Sequence, residues 1–142
     1  MTARLGAVLL AAMAIAGCTP AATQPAPDPP AAIVEQPARR AWGDTIAGRI
    51  GGLASHIHNQ LHERYGAPRE RGMLGRDAAA VAGLRDWYRA RLGPEWEPLT
   101  LSDMPGERVF GFVAGKRVLV VGWIDAMPDG RVPMLVMRYG PE

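Results

Sequence analysis

Ile46, Ile50, Leu53, Ile57 and Leu61 recur at steps of four, three, four and four, the spacing of one face of a helix. Asp44 is placed to cap its start, and Gly66 and Pro68 end it. Gly48, Gly51 and Gly52 weaken its first half by about 1 kcal/mol each relative to alanine, so the uninterrupted part runs from Leu53 to Arg64. A second stripe, Val81, Leu84, Tyr88 and Leu92, predicts a helix from Asp77 to Leu92 with Trp87 beside the stripe, stopped by Gly93-Pro94.

After Trp96 the period changes to that of strands. Leu99-Thr100-Leu101 is short, Arg108 to Val113 alternates, and Arg117 to Ile124 is the most β-branched run of the chain. Ala114-Gly115-Lys116 joins the last two as a tight turn. Met127-Pro128-Asp129-Gly130 is a second turn, with Asp-Gly where a hairpin favours it. Arg131 to Tyr139 is the final strand, and Pro133 within it argues for an edge position or a bulge. The order predicts an α+β fold, two helices packed on one face of a three- to four-stranded antiparallel meander. Phe110, Phe112, Leu119, Val121, Trp123, Leu135 and Met137 form the expected inward face. Val118, Val120 and Ile124 point the other way, so the outer face of the central strand is apolar too. Together with Trp87 these three make a candidate partner surface.

The amino-terminal segment follows another pattern. Arg4 is the only charge before Asp28, and every residue from Leu5 to Gly17 is apolar or glycine. A positive start, a short apolar run and small residues at its end are the pattern of a secretory signal. A bilayer-spanning helix needs about 20 apolar residues, more than this run has. Ile15-Ala16-Gly17-Cys18 resembles the lipobox of bacterial lipoproteins, with Ile where Leu is commonest. The resemblance implies a diacylglyceryl group on the sulfur of Cys18, cleavage between Gly17 and Cys18, and acylation of the new amino group. It also implies the outer membrane of a Gram-negative envelope, facing the periplasm, since Thr19 stands where an Asp retains such proteins in the inner membrane. Thr19 to Arg40 contains Pro20, Pro25, Pro27, Pro29, Pro30 and Pro37 among many alanines. Such a composition buries too little apolar surface to offset its ordering entropy. The expected organisation is therefore a signal segment at 1–17, a lipidated cysteine and disordered Pro/Ala-rich linker at 18–40, and a small α+β domain at 41–142.

Charge changes the picture little. Sixteen basic residues face 14 acidic ones, a formal charge of +2, and Lys116 is the only lysine. Arg, Ala, Gly and Pro share GC-rich codons, and no clustered basic face of a nucleic-acid binder stands out. His56, His58 and His62 fall in one short stretch. His58 and His62, four apart, can share a divalent metal, whereas His56 lies about 200° round the axis from His58. Two ligands alone are a weak motif, and a polar helix flank is the preferred reading. Asp86-Trp87-Tyr88-Arg89 reads as the edge of the buried stripe, and Asp103, Asp125 and Asp129 as turn residues. Ser55 and Ser102 are the only serines, and no phosphate loop, nucleotide fingerprint or nucleophile elbow is present. The expected function is a lipid-anchored envelope protein that binds or scaffolds another envelope protein, not an enzyme, with no cofactor and no small-molecule substrate. A second reading is an inhibitor or immunity lipoprotein whose Asp125–Arg131 loop is the plug. A third is a weak metal-binding or hydrolytic role for His58 and His62.

Overall fold

The computed structural model describes residues 24–36 and 39–141, with the backbone alone for 39 and 40. The signal segment, Cys18 and the residues up to 23 lie outside the described residues. Among the described residues six strands form one antiparallel sheet: β1 (Ile33–Glu35), β2 (Arg69–Gly75), β3 (Glu97–Leu99), β4 (Glu107–Ala114), β5 (Arg117–Ile124) and β6 (Val132–Tyr139), in the order β1-β2-β6-β5-β4-β3. The helices are α1 (Asp44–Tyr65), α2 (Ala78–Ala82) and α3 (Leu84–Arg91), and a 3-10 turn spans Arg39–Trp42. The α+β class is as expected. The sheet is wider than the three or four strands predicted, and the second helix is broken at Gly83.

The helices do not share a face. Side chains alternate across a strand, and β5 is apolar at every interior position. Val118 and Val120 point to one side, Leu119 and Val121 to the other, and all four are at most 2% exposed. On the first side α1 seats Ile50, Leu53, Ile57 and Leu61 against Val118, Val120 and Ile124. On the second, Val81, Leu84 and Tyr88 from α2 and α3 meet Phe110, Phe112, Leu119 and Val121. Two expectations are thereby corrected. Val118, Val120 and Ile124 are covered by α1 and present no partner surface. Leu135 and Met137 belong to the α1 side, because the register sets Met137 opposite Val120 and Leu135 opposite Gly122.

Gly122 explains how closely α1 sits. A Cβ there would lie 2.8 Å from Leu53 Cδ2 and 3.5 Å from Ile57 Cδ1. The helix begins at Gly43, whose φ of 80° suits glycine and which makes no side-chain cap bond. Asp44 is thus the first helical residue rather than the cap, and its charge favours the helix amino terminus. Gly48, Gly51 and Gly52 have open space around them, so their missing side chains leave no gap in the core.

Residues 24–36 fold onto the body instead of forming the outer part of a linker, so the folded unit starts well before position 41. Ile33–Glu35 pairs with β2 as the sheet's first strand. Ahead of it Ala26 is buried, Arg138 Nη2 donates to the Pro27 carbonyl at 2.9 Å, and Trp96 Nε1 donates to the Gln24 carbonyl at 3.1 Å. Arg71 reaches both Asp28 (3.2 Å) and Glu35 (2.9 Å). The prolines hold this run extended at low entropy cost. Pro133 also departs from expectation, since β6 is an interior strand. The β5–β6 ladder ends at Met134, so Pro133 has no β5 residue to which it would have to donate.

Gly122→Val should destabilise the protein by about 1–3 kcal/mol, the range for overpacking a closed core. Urea denaturation followed by circular dichroism reads this directly, and wild-type stability in the variant would show that α1 is not seated on β5 at this point.

Candidate functional site

One end of the sheet is bounded by the start of α2, the end of β5 and the residue 100–106 loop between β3 and β4. Asp77 caps α2: its carboxylate accepts from the Ala80 N–H at 2.8 Å and from Arg76 Nε at 3.2 Å. These bonds, the Ala80 one first, hold its carboxyl below the ordinary 3.8. The opposite wall is tied to the polar flank of α1. The Ser102 N–H donates to Gln60 Oε1 at 2.8 Å, and His56 Nε2 lies 2.9 Å from the Ser102 carbonyl. Arg49 Nη2 donates to the Gly106 carbonyl at 3.0 Å and meets Asp125 at 3.5 Å.

Between these walls opens a cleft of about 1080 Å³. The half-buried Trp123 lines it, packed edge-on against the buried Phe110 beneath with centroids 5.9 Å apart. Arg85 lies 5.9 Å over the Phe110 ring, and Arg108, Asp103 and Asp125 line the cleft beside it. One oxygen of Glu107, also in the lining, is enclosed with no hydrogen-bond partner among the described residues. The arrangement offers one partly exposed indole and both signs of charge within one concavity, which suits a polar ligand with an apolar anchor.

The sequence-predicted residues fall elsewhere. The His58 and His62 rings lie tilted to each other with centroids 5.1 Å apart, and His62 Nδ1 lies 3.1 Å from the His58 carbonyl. Among the described residues no group of three or more metal-ligating side chains comes together. His56 ties the loop to α1, and Ser102 meets it through the backbone carbonyl. None of the three histidines lines the cleft. Trp87 is half-buried, edge-on to Tyr88 at 5.0 Å, with Arg91 4.2 Å over its ring. The Asp125–Arg131 loop is internally bonded: Met127 N–H donates to the Arg131 carbonyl at 2.8 Å, and Arg131 pairs with Asp129 at 2.6 Å. That pairing holds the Asp129 carboxyl low and the Arg131 guanidinium high. Arg85, Arg108 and Trp123 were not legible as one site, because separate segments contribute them; no spacing in the sequence marks them.

No protein-family model matches the chain, and no curated protein or solved structure matches it. Fold and site define an α+β protein whose antiparallel sheet is covered on both faces and open to a cleft at one end.

Asp77→Ala should lower the melting temperature near neutral pH by uncapping the α2 wall. The folded carboxyl titrates below 3.8, so its contribution is full above the unfolded value and is lost as pH falls through the folded one. The gap between wild type and variant should hold steady from pH 7 to about 5 and narrow below about pH 4. Calorimetry across that range checks both the offset and its sign.

Proposed function

We propose that this chain is a lipid-anchored binding or scaffold protein of the bacterial cell envelope, attached through Cys18 and holding an envelope protein in the cleft. The motif Ile15-Ala16-Gly17-Cys18 supports the anchor, and Thr19 after it favours the outer membrane facing the periplasm. The cleft carries the binding reading. The half-buried Trp123 offers the aromatic contact that anchors a partner side chain, and Arg85, Arg108, Asp103 and Asp125 offer charge pairing around it. A protruding polypeptide loop with one apolar residue between charged ones fits this chemistry. The domain acts by binding rather than by turnover.

A second reading, an inhibitor or immunity lipoprotein, is favoured by the stiffness of the Asp125–Arg131 loop. It is exposed, yet braced by the Asp129–Arg131 pair and by the Gly130 N–H donating to the Met127 carbonyl at 2.9 Å. A pre-ordered loop loses little entropy on entering an enzyme's cleft.

Photo-reactive residues in place of Ala82 or Arg108 in the full chain, expressed in its own envelope, should give one discrete protein adduct, and one in place of Asn59 on α1 should give none. Adducts from neither cleft position overturn the binding reading. An adduct from position 129 instead, with an envelope-degrading enzyme that the protein inhibits, selects the second reading. Mass spectrometry of the mature amino terminus should find a diacylglyceryl cysteine, and an intact leader or an unacylated terminus overturns the anchor.

A further inference from the structure

We infer that the partner segment in the cleft lies extended along a free edge of β4 and adds to the sheet as a strand, with acidic and basic side chains alternating along it. This rests on the reading of the cleft as a protein-binding site and states what enters it.

The sheet edge carries the inference. β4 has eight residues and β3 only three, and β3 pairs with Gly111 to Val113 alone. Beyond Leu99 the chain leaves the edge, because the Ser102 backbone is held by Gln60 and His56 of α1. Glu107 to Phe110 therefore pair with β5 on one side and, among the described residues, with no strand on the other. All four line the cleft, although successive side chains of a strand point to opposite faces. One cavity touches both sets where the strand has an open margin.

The backbone there is unsatisfied. In an antiparallel ladder the N–H and C=O of successive residues turn to opposite neighbours. Pro98 has no N–H to give, so Glu97 and Leu99 are the residues that exchange bonds with Val113 and Gly111. Val109 is next in that alternation and turns its N–H and C=O to the same edge, past the end of β3. Neither group bonds to another backbone group among the described residues, whereas the N–H of Glu107, one step further on, donates to the Met104 carbonyl at 3.1 Å. A strand edge with unpaired groups is a template for an extended peptide.

The side chains show which peptide. Arg108 lies opposite Trp123 in the register, on the α2–α3 face, and Arg85 lies 5.9 Å over the Phe110 ring on that same face. Neither arginine meets a carboxylate among the described residues. Glu107 lies opposite Ile124 on the α1 face, with one oxygen enclosed and without a hydrogen-bond partner among the described residues, and Asp125 is held to that side by Arg49. The two signs of charge are thus sorted by face. A strand laid along β4 presents its side chains to these faces in turn. An acidic side chain meets Arg85 and Arg108 beside the indole of Trp123, and a basic neighbour meets Glu107.

The test places a photo-reactive residue at Ala82 in the full chain, expressed in its own envelope. Val109→Pro removes the outward N–H without removing a bond to β5. The adduct should fall several-fold in Val109→Pro and in Arg85→Glu/Arg108→Glu, and persist in Arg85→Lys/Arg108→Lys. Sequencing the crosslinked segment by mass spectrometry should find acidic and basic residues at neighbouring positions. Circular dichroism checks each fold, and if Val109→Pro does not fold, the charge-reversed variant and the sequenced segment decide alone. An undiminished adduct in either folded variant, or a crosslinked segment without that alternation, overturns the added strand and leaves the cleft as a binding site. No adduct in the wild-type background, or an adduct with a second copy of this chain, overturns the envelope-partner reading and this inference together.

Discussion

The central strand β5 is apolar on both faces, and water tolerates neither face uncovered. Burying a valine or leucine side chain contributes about 1.5–3 kcal/mol, and Val118, Leu119, Val120 and Val121 are all at most 2% exposed. Each face therefore needs a layer of its own. On one side α1, with 22 residues, is about 33 Å long and covers the strand from end to end. On the other side the cover is broken at Gly83 into helices of five and eight residues. That leaves part of the sheet to be closed by something else, and the amino-terminal segment closes it with Ala26 and Ile33.

That same segment settles the polar groups on its side of the sheet. Arg71 and Arg138 project from β2 and β6 toward an otherwise apolar face, where a guanidinium without partners would be costly. Asp28, Glu35 and the Pro27 carbonyl meet them. Partly exposed ion pairs contribute little singly, so the buried Ala26, Ile33 and Trp96 hold the segment and the arginines fix its path. Beneath it the Tyr88 hydroxyl is so far from water that desolvation pushes it up to about 12, and it stays protonated at any physiological pH. An element that completes the core also decides where the chain leaves the body.

Much of this was legible where a period survives in the sequence. The apolar stripe of α1 and the β-branched runs of β4 and β5 announce themselves. β2 does not: Arg69-Glu70-Arg71-Gly72 has the composition of a loop, and its arginines find partners far away in sequence, Arg71 in Asp28 and Glu35 and Arg69 in the Gly140 carbonyl. β1 is hidden among prolines and alanines for the same reason. Val132 to Met137 has no polar residue to mark its alternation, so which side Leu135 faces is set by register alone. The candidate site was legible only in part. The lipobox-like motif is contiguous and readable, but Cys18 lies outside the described residues. The cleft is assembled from distant segments and leaves no local trace. The histidine stretch is conspicuous in sequence and turns out, in His56, to fasten a loop.

That fastening shows how the cleft inherits its shape. The buried stripe of α1 is seated on β5, and its polar flank grips the residue 100–106 loop through Arg49, His56 and Gln60. One wall of the cleft is thus rigidly referred to the sheet. The other wall, α2, buries only Val81 and depends on the Asp77 cap. Local opening is easiest where few apolar contacts oppose it, so any change in the width of the cleft is concentrated at α2. A partner entering the cleft would meet one fixed surface and one that can adjust, which is how a shallow site accommodates a protruding loop without disturbing the core beneath it.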